Sequence, residues 1–186
     1  FHQILLVLLL QNGGQGALLI GVHRQIVVIL GSGSEITDRV NVYAHGKDTN
    51  LSLTNEGKMG YLEANVLDQA QAAIKNNEEI MRGMHNWVQD EGSRLEFVND
   101  KEGRITGGMD NGAGEKGEFV FTNNGTISGE QFNGAFDGGM LKNTNNGTMN
   151  VTNDRLHNYA RGGGSFVEST NNGTINGGVM NQADYE

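Results

Sequence analysis

The 186-residue chain has no cysteine and no proline, and only 13 of its residues are lysine or arginine against 22 acids. Without cysteine there can be no disulfide, thiolate metal site or cysteine nucleophile. Without proline, every turn must be made by residues that tolerate it through small size or local side-chain hydrogen bonding. The net charge of −9 excludes the basic face that phosphate backbones require, so no nucleic-acid partner is expected. It likewise excludes docking to anionic lipid by charge. The five histidines, His2, His23, His45, His85 and His157, stand in no hydrolase or metalloprotease motif. No catalytic residue, metal ligand or cofactor site is expected from the sequence.

What the chain has in abundance is glycine, at 29 residues, and asparagine, at 23. Asn-Gly pairs begin at Asn12, Asn111, Asn124, Asn133, Asn146, Asn172 and Asn176. Both residue types accept positive φ, which tight turns between strands require. In the second half these pairs sit inside a repeated phrase: Thr122–Ile127, Thr144–Met149 and Thr170–Ile175, each reading Thr-Asn-Asn-Gly-Thr followed by Ile or Met. A looser copy spans Asp100–Ile105. The aligned glycines Gly103, Gly125, Gly147 and Gly173 are separated by 22, 22 and 26 residues. An apolar pair leads into each copy: Phe97-Val98, Phe119-Val120, Met140-Leu141 and Phe166-Val167. Repetition at such a period marks stacked supersecondary units that share one core. The expected fold class is mainly β, with a C-terminal β-solenoid (parallel β-helix) of about four ~22-residue coils over residues 95–180. Ile105, Ile127, Met149 and Ile175 should stack inward as one column, and the leading pairs as another. Asn-Asn-Gly should turn the corner, with asparagine amides hydrogen-bonded from coil to coil. The 26-residue step should bulge as a loop around Arg155–Gly164.

The first half reads differently. Residues 1–31 are apolar, with runs at Ile4–Leu10, Ala17–Val22 and Ile26–Leu30. Three readings stand side by side: strands separated by the Asn12–Gly16 cluster, a membrane or filament helix, and the remnant of a signal segment. Residues 26–36 form a strand running into a Gly-Ser-Gly-Ser turn, without the third glycine of a dinucleotide-binding loop. Leu51–Met59 resembles the later phrase and reads as an early rung. Over 61–88, Val66, Ala70, Ala73, Asn77, Ile80, Met84 and Trp87 follow alternating spacings of four and three. That seam predicts one α-helix, acting as a cap or in a coiled coil. The domain reading is therefore 1–60 apolar strands or an anchoring and assembly segment, 61–92 helix, and 93–186 solenoid.

The phrase "apolar pair, a few polar residues, Asn-x-Gly-x-Ile" at this period resembles the repeats of filamentous-haemagglutinin-type adhesins and other secreted bacterial β-helix proteins, over residues 95–180 only. The resemblance implies a parallel β-helix exposed outside the cell, with a role in attachment or surface assembly. The chain, having no proline, lacks the Asn-Pro-Asn-Leu secretion motif of those adhesins. Read as a helix, the first ten residues also resemble type IV pilins, which begin with Phe and an apolar helix, although Leu5 stands where those proteins carry glutamate.

The function expected from these features is that of a structural or adhesive surface protein, extracellular or on the cell surface. It would self-associate as a homo-oligomer or filament, or bind surface carbohydrate or protein, with membrane contact through 1–31 as a further option. Two alternatives remain: a pilin-like filament subunit assembled through 1–31, and a β-helix carbohydrate-active enzyme using acids such as Asp110, Glu115, Glu118, Glu130 and Asp137. The candidate partner-binding loop is Asp154, Arg155, His157 and Tyr159, because binding residues favour loops on rigid scaffolds. Candidate glycosylation sites are Asn50, Asn124, Asn146, Asn150 and Asn172, each in an Asn-x-Ser/Thr context.

Overall fold

A computed structural model describes residues 6–10, 18–22, 25–152 and 155–184, with side chains from Gln25 onward. Over this range the chain is a parallel β-solenoid of about seven turns. Its first face stacks eight strands: Leu6–Leu10, Gln25–Leu30, Asn50–Asn55, Gln71–Asn76, Arg94–Asn99, Glu118–Asn123, Met140–Asn145 and Phe166–Asn171. The register between successive strands pairs Leu6 with Ile26, then Leu51, Ala72, Leu95, Phe119, Leu141 and Val167. The coils are therefore 20, 25, 21, 23, 24, 22 and 26 residues long.

The second sheet begins with Leu18–Val22 and the long strands Glu35–His45 and Lys58–Leu67, and then divides. A short column continues through Glu79–Ile80, Arg104–Thr106, Thr126–Ser128, Thr148–Asn150 and Thr174–Asn176. A long column continues through Met84–Gln89, Met109–Gly114, Gln131–Phe136, Leu156–Arg161 and Val179–Asp184. The division occurs where glycine enters with positive φ, at Gly83, Gly107, Gly129 and Gly177. A left-handed residue cannot continue a strand, so one long strand becomes two with a corner between them.

Alternation within each strand sends every second side chain inward. The predicted column of Ile105, Ile127, Met149 and Ile175 is present, in register and buried or nearly so. It runs further back than expected, through Ile80, Met59 and Ile36. The early rung at 51–59 is also present, as strand Asn50–Asn55 and the start of Lys58–Leu67. The leading pairs, however, pack differently. Only one member of two adjacent strand residues can face the core, so Leu95 aligns with Phe119 and Leu141, while Phe97 aligns with Phe121. Met140 and Phe166 face outward, 38% and 47% exposed.

Two expectations are corrected here. The coils number about seven rather than four, since those before residue 95 lack the repeated phrase but share the same ladder. No helix occurs among the described residues, and 61–88 is four strand segments. Leu62, Ala64 and Val66 alternate inward, followed by Ala70, Ala72, Ile74 and Asn76, and then by Met84, Asn86 and Val88. Asp68 and Gln69 both adopt left-handed φ, at 53° and 68°, which interrupts any right-handed helix. The apparent heptad seam arises because strand alternation is reset at three corners, Asp68-Gln69 and Asn77-Glu78 without glycine and then Gly83, which mimics a spacing of three and four. Ala73 and Trp87, assigned to that seam, point away from the core. The described strands within residues 1–31 are Leu6–Leu10, Leu18–Val22 and Gln25–Leu30, and among the described residues no helix is long and apolar enough to cross a membrane. Phe1 and Leu5, on which the pilin comparison rests, lie outside the described residues.

The expectation that Asn-Asn-Gly turns by positive φ is also revised. Gly125, Gly147 and Gly173 do not have it. They are glycine because a Cβ would stand under 3.0 Å from the carbonyl oxygen of the glycine one coil earlier, namely Gly103, Gly125 and Gly147 in turn.

Candidate functional site

The outward positions of the long column carry the chemistry. One row reads Glu63, His85, Asp110, Phe132 and His157; the next reads Asn65, Trp87, Gly112, Gly134 and Tyr159; beyond them Gln89 pairs with Gly114, and Phe136 with Arg161. Successive residues of a row are 22 or 25 positions apart in sequence and become neighbours only through the coil register. Glycine is unfavourable inside a strand and often marks a close approach. Here the approach is by aromatic rings. A Cβ at Gly112 would collide with Cε3 and Cζ3 of Trp87, and one at Gly114 would stand 3.1 Å from Trp87 Cζ2. The indole therefore lies across two glycines of the following coil. A Cβ at Gly134 would be 2.5 Å from Cε2 of Phe136 and 2.8 Å from Cε1 of Phe132.

The rings form a continuous strip. Centroid separations are 5.9 Å for Trp87–Phe136, 5.8 Å for Phe136–Tyr159, 6.4 Å for Tyr159–Phe132 and 5.3 Å for Phe132–His157. All five rings are half-buried. Polar atoms along the rim are fixed by neighbours: Trp87 Nε1 donates to Gln89 Oε1 at 3.2 Å, and the Tyr159 hydroxyl donates to Asp184 Oδ2 at 2.8 Å. The latter bond, with help from Gln182, holds the Asp184 carboxyl below the usual aspartate range.

Beside the strip, along the seam between the two columns, runs a groove of about 640 Å³. Tyr61, Arg82, Asp110, Glu130, Phe132, Arg155 and His157 contribute to its walls. Both charge signs are present. Asp110 Oδ2 lies 3.2 Å from His85 Nδ1, and that hydrogen bond raises the imidazole pKa above its ordinary value against partial burial. Arg82 donates to the Thr37 carbonyl at 2.7 Å, and Tyr61 lies under Arg39 at 5.0 Å, its hydroxyl pKa raised by burial. Among the described residues His157 Nε2 is buried without a hydrogen-bond partner.

The sequence placed Arg155, His157 and Tyr159 in a loop, and this is corrected. Arg155 precedes the strand, while His157 and Tyr159 are on the open face of Leu156–Arg161. The four extra residues of the longest coil fall mostly in 151–155, and Asp154 lies outside the described residues. Of the five acids considered for a catalytic face, only Asp110 and Glu130 reach the groove. Glu115 and Asp137 make the left-handed corner after the long column, and Glu118 belongs to the first face, paired with Arg94. Among the described residues no group of three or more His, Asp or Glu side chains is placed to hold a metal ion.

The sequon asparagines are elsewhere. Asn124, Asn146 and Asn172 form an outer row at the corner between the first face and the short column, bonded at 2.9 Å and 3.0 Å. Asn150 accepts from Asn176 at 2.8 Å, and Asn50 is exposed at the start of its strand. Sequence reasoning missed Trp87, Phe132 and Phe136 as surface residues. The available signal was aromatic and glycine residues sharing one outward position at the coil period. No protein-family model matches the chain, and neither a curated protein nor a solved structure does.

Proposed function

We propose that this chain is an extracellular structural and adhesive protein, a rigid β-solenoid that holds a partner on the open face of its long column. The observation that carries this reading is the continuous strip of Trp87, Phe136, Tyr159, Phe132 and His157. Large aromatic faces kept half-open on a sheet are binding surface, because burying them elsewhere in the core would be more favourable. Each ring is held by a strand that is paired on both sides, so little order has to be acquired when a partner docks. The likeness of the repeats to filamentous-haemagglutinin-type adhesins supports the extracellular setting.

The test is retention. Beads carrying the intact chain are allowed to settle on cell-wall and extracellular-matrix preparations and are then washed. The reading expects retention that is lost with Trp87→Ala and Tyr159→Ala, each first shown to keep the β-sheet circular dichroism of the parent. Absence of retention, or retention indifferent to both substitutions, would overturn it.

A further inference from the structure

We infer that the strip binds an uncharged polysaccharide, laid along the solenoid axis with its sugar rings stacked on Trp87, Phe136 and Tyr159. This deepens the adhesive reading above and rests on it.

The occupant is identified by chemistry. A hexose presents an apolar face of C–H bonds and a perimeter of hydroxyls, so it needs a flat aromatic surface flanked by donors and acceptors. The glycine bed supplies one flat face: Gly112 and Gly114 let the indole lie on the sheet, Phe136 follows at 33° to it, and Tyr159 turns 59° from Phe136, so successive sugars meet a twisted series of faces. The ring series advances along the stack of coils, about 4.8 Å per coil, a step comparable to the length of one sugar ring in an extended chain. From Trp87 to Tyr159 the register passes through Gly112 and Gly134, three coil steps in all, which gives room for about three sugars at that spacing.

The perimeter also fits. On one side stand Gln89, which joins the Trp87 indole to Glu115, and Asp184, which holds the Tyr159 hydroxyl. On the other is the groove, with Asp110 and Glu130 as acceptors and Arg82 and Arg155 as donors. Amide, carboxylate and guanidinium groups together satisfy hydroxyls, which both donate and accept. Charge selects among polymers. Acids and arginines are mixed at the groove, and the chain carries −9 overall, so an anionic polysaccharide gains no steering and is repelled at range. A protein partner is the alternative occupant of the same strip, and competition by free oligosaccharide separates the two.

Trp87 is the only tryptophan, so its emission reports on the strip alone. The experiment titrates the intact chain with uncharged hexaoses of the cello, xylo, manno and malto series, and with oligogalacturonate. The expected result is a saturable change in emission with at least one uncharged series and none with oligogalacturonate. Tyr159→Ala and Phe136→Ala should each weaken that binding at least about tenfold, as loss of a central aromatic anchor does. Phe166→Ala, at an exposed ring on the first face, should leave it unchanged. If one of the two variants fails to fold, the other still decides. The inference is overturned if no uncharged oligosaccharide binds, if oligogalacturonate binds more tightly, or if a folded Tyr159→Ala or Phe136→Ala binds as the parent does. Bead retention that depends on Trp87 but withstands competing oligosaccharide would overturn the sugar while leaving the adhesive reading in place. Loss of both results would remove the adhesive reading as well.

Discussion

The two adjacent asparagines of the repeated phrase have the same side chain and opposite circumstances. The first of each pair belongs to an inner row, Asn55, Asn76, Asn99, Asn123, Asn145 and Asn171, in which every Nδ2 but that of the last, Asn171, donates to the Oδ1 of the next coil at 2.7 to 2.8 Å. Most of these amides donate their second hydrogen to a backbone carbonyl near the corner, such as Gly103 from Asn99 and Gly125 from Asn123. The second of each pair belongs to the outer row of Asn124, Asn146 and Asn172, which donates in the opposite direction and is open to water. The coils themselves show the consequence. The inner position is asparagine in six successive coils, whereas the outer position reads Glu56, Asn77, Asp100, Asn124, Asn146 and Asn172. A buried amide must have partners, because an unpartnered one costs about 1–3 kcal/mol. A hydrated amide can be exchanged for any polar group.

The sharpest way to break this comparison is at the glycine that follows both rows. Gly147→Val should cost about 4 kcal/mol or more, the extreme of single-substitution effects. The added carbons would meet the backbone of Asn124 and Gly125, which cannot move without opening the ladder. A urea midpoint measured against the parent would show it. A shift comparable to that of an exposed-loop substitution would mean that the coils are not stacked as closely as described.

Next in size is the inner row. Asn123→Ala removes the acceptor of Asn99 and the donor to Asn145 in a region closed to water. The expected loss is about 3 kcal/mol, near the upper end for leaving buried amides unsatisfied. The outer counterpart, Asn146→Ala, should change stability by no more than about 0.5 kcal/mol. Denaturant unfolding of both variants side by side tests the contrast directly, and equal losses would refute it.

This contrast also explains what could be read from sequence. The phrase was legible because its three constraints coincide: an inward Ile or Met, a glycine crowded by its neighbour's carbonyl, and an asparagine amide bonded along the stack. All three recur at Thr122–Ile127 and its copies. In the coil from Gln71 to Ser93 only the asparagine and Ile80 survive, since Glu78 stands near the place of the glycine, and the corner at Asp68-Gln69 turns left-handed without any glycine. Gly83 is then the one local mark of a strand end between Gln71 and Gln89, and alternation reset at the other corners reads as a heptad. The aromatic strip was illegible for another reason. Trp87, Phe132, Phe136 and Tyr159 are joined only by the register, and an apolar residue outside a known register is naturally assigned to a core.

The smallest expected effect separates inner from outer rungs on one pair of strands. Asn86 and Asn111 form an inner rung at 2.8 Å, and the residues just before them, His85 and Asp110, form the outer rung at 3.2 Å. The inner rung carries no titrating group, so its contribution should be constant from pH 5 to 9. The outer rung should not be constant. The hydrogen bond that the His85 imidazole donates to Asp110 raises the His85 pKa in the folded state, so the folded protein binds the imidazole proton more tightly than the unfolded chain does. That stabilisation is fully present below the ordinary histidine value of about 6.5. It fades as pH rises through the raised folded value. Both side chains are more than a third exposed to water, so the effect is a shallow slope and not a transition. Parent and His85→Gln should therefore differ most in urea midpoint at acidic pH and converge at alkaline pH. Asn111→Ala should stay below the parent by the same margin throughout. A His85→Gln difference that grows with pH would reverse the sign and refute the pairing with Asp110.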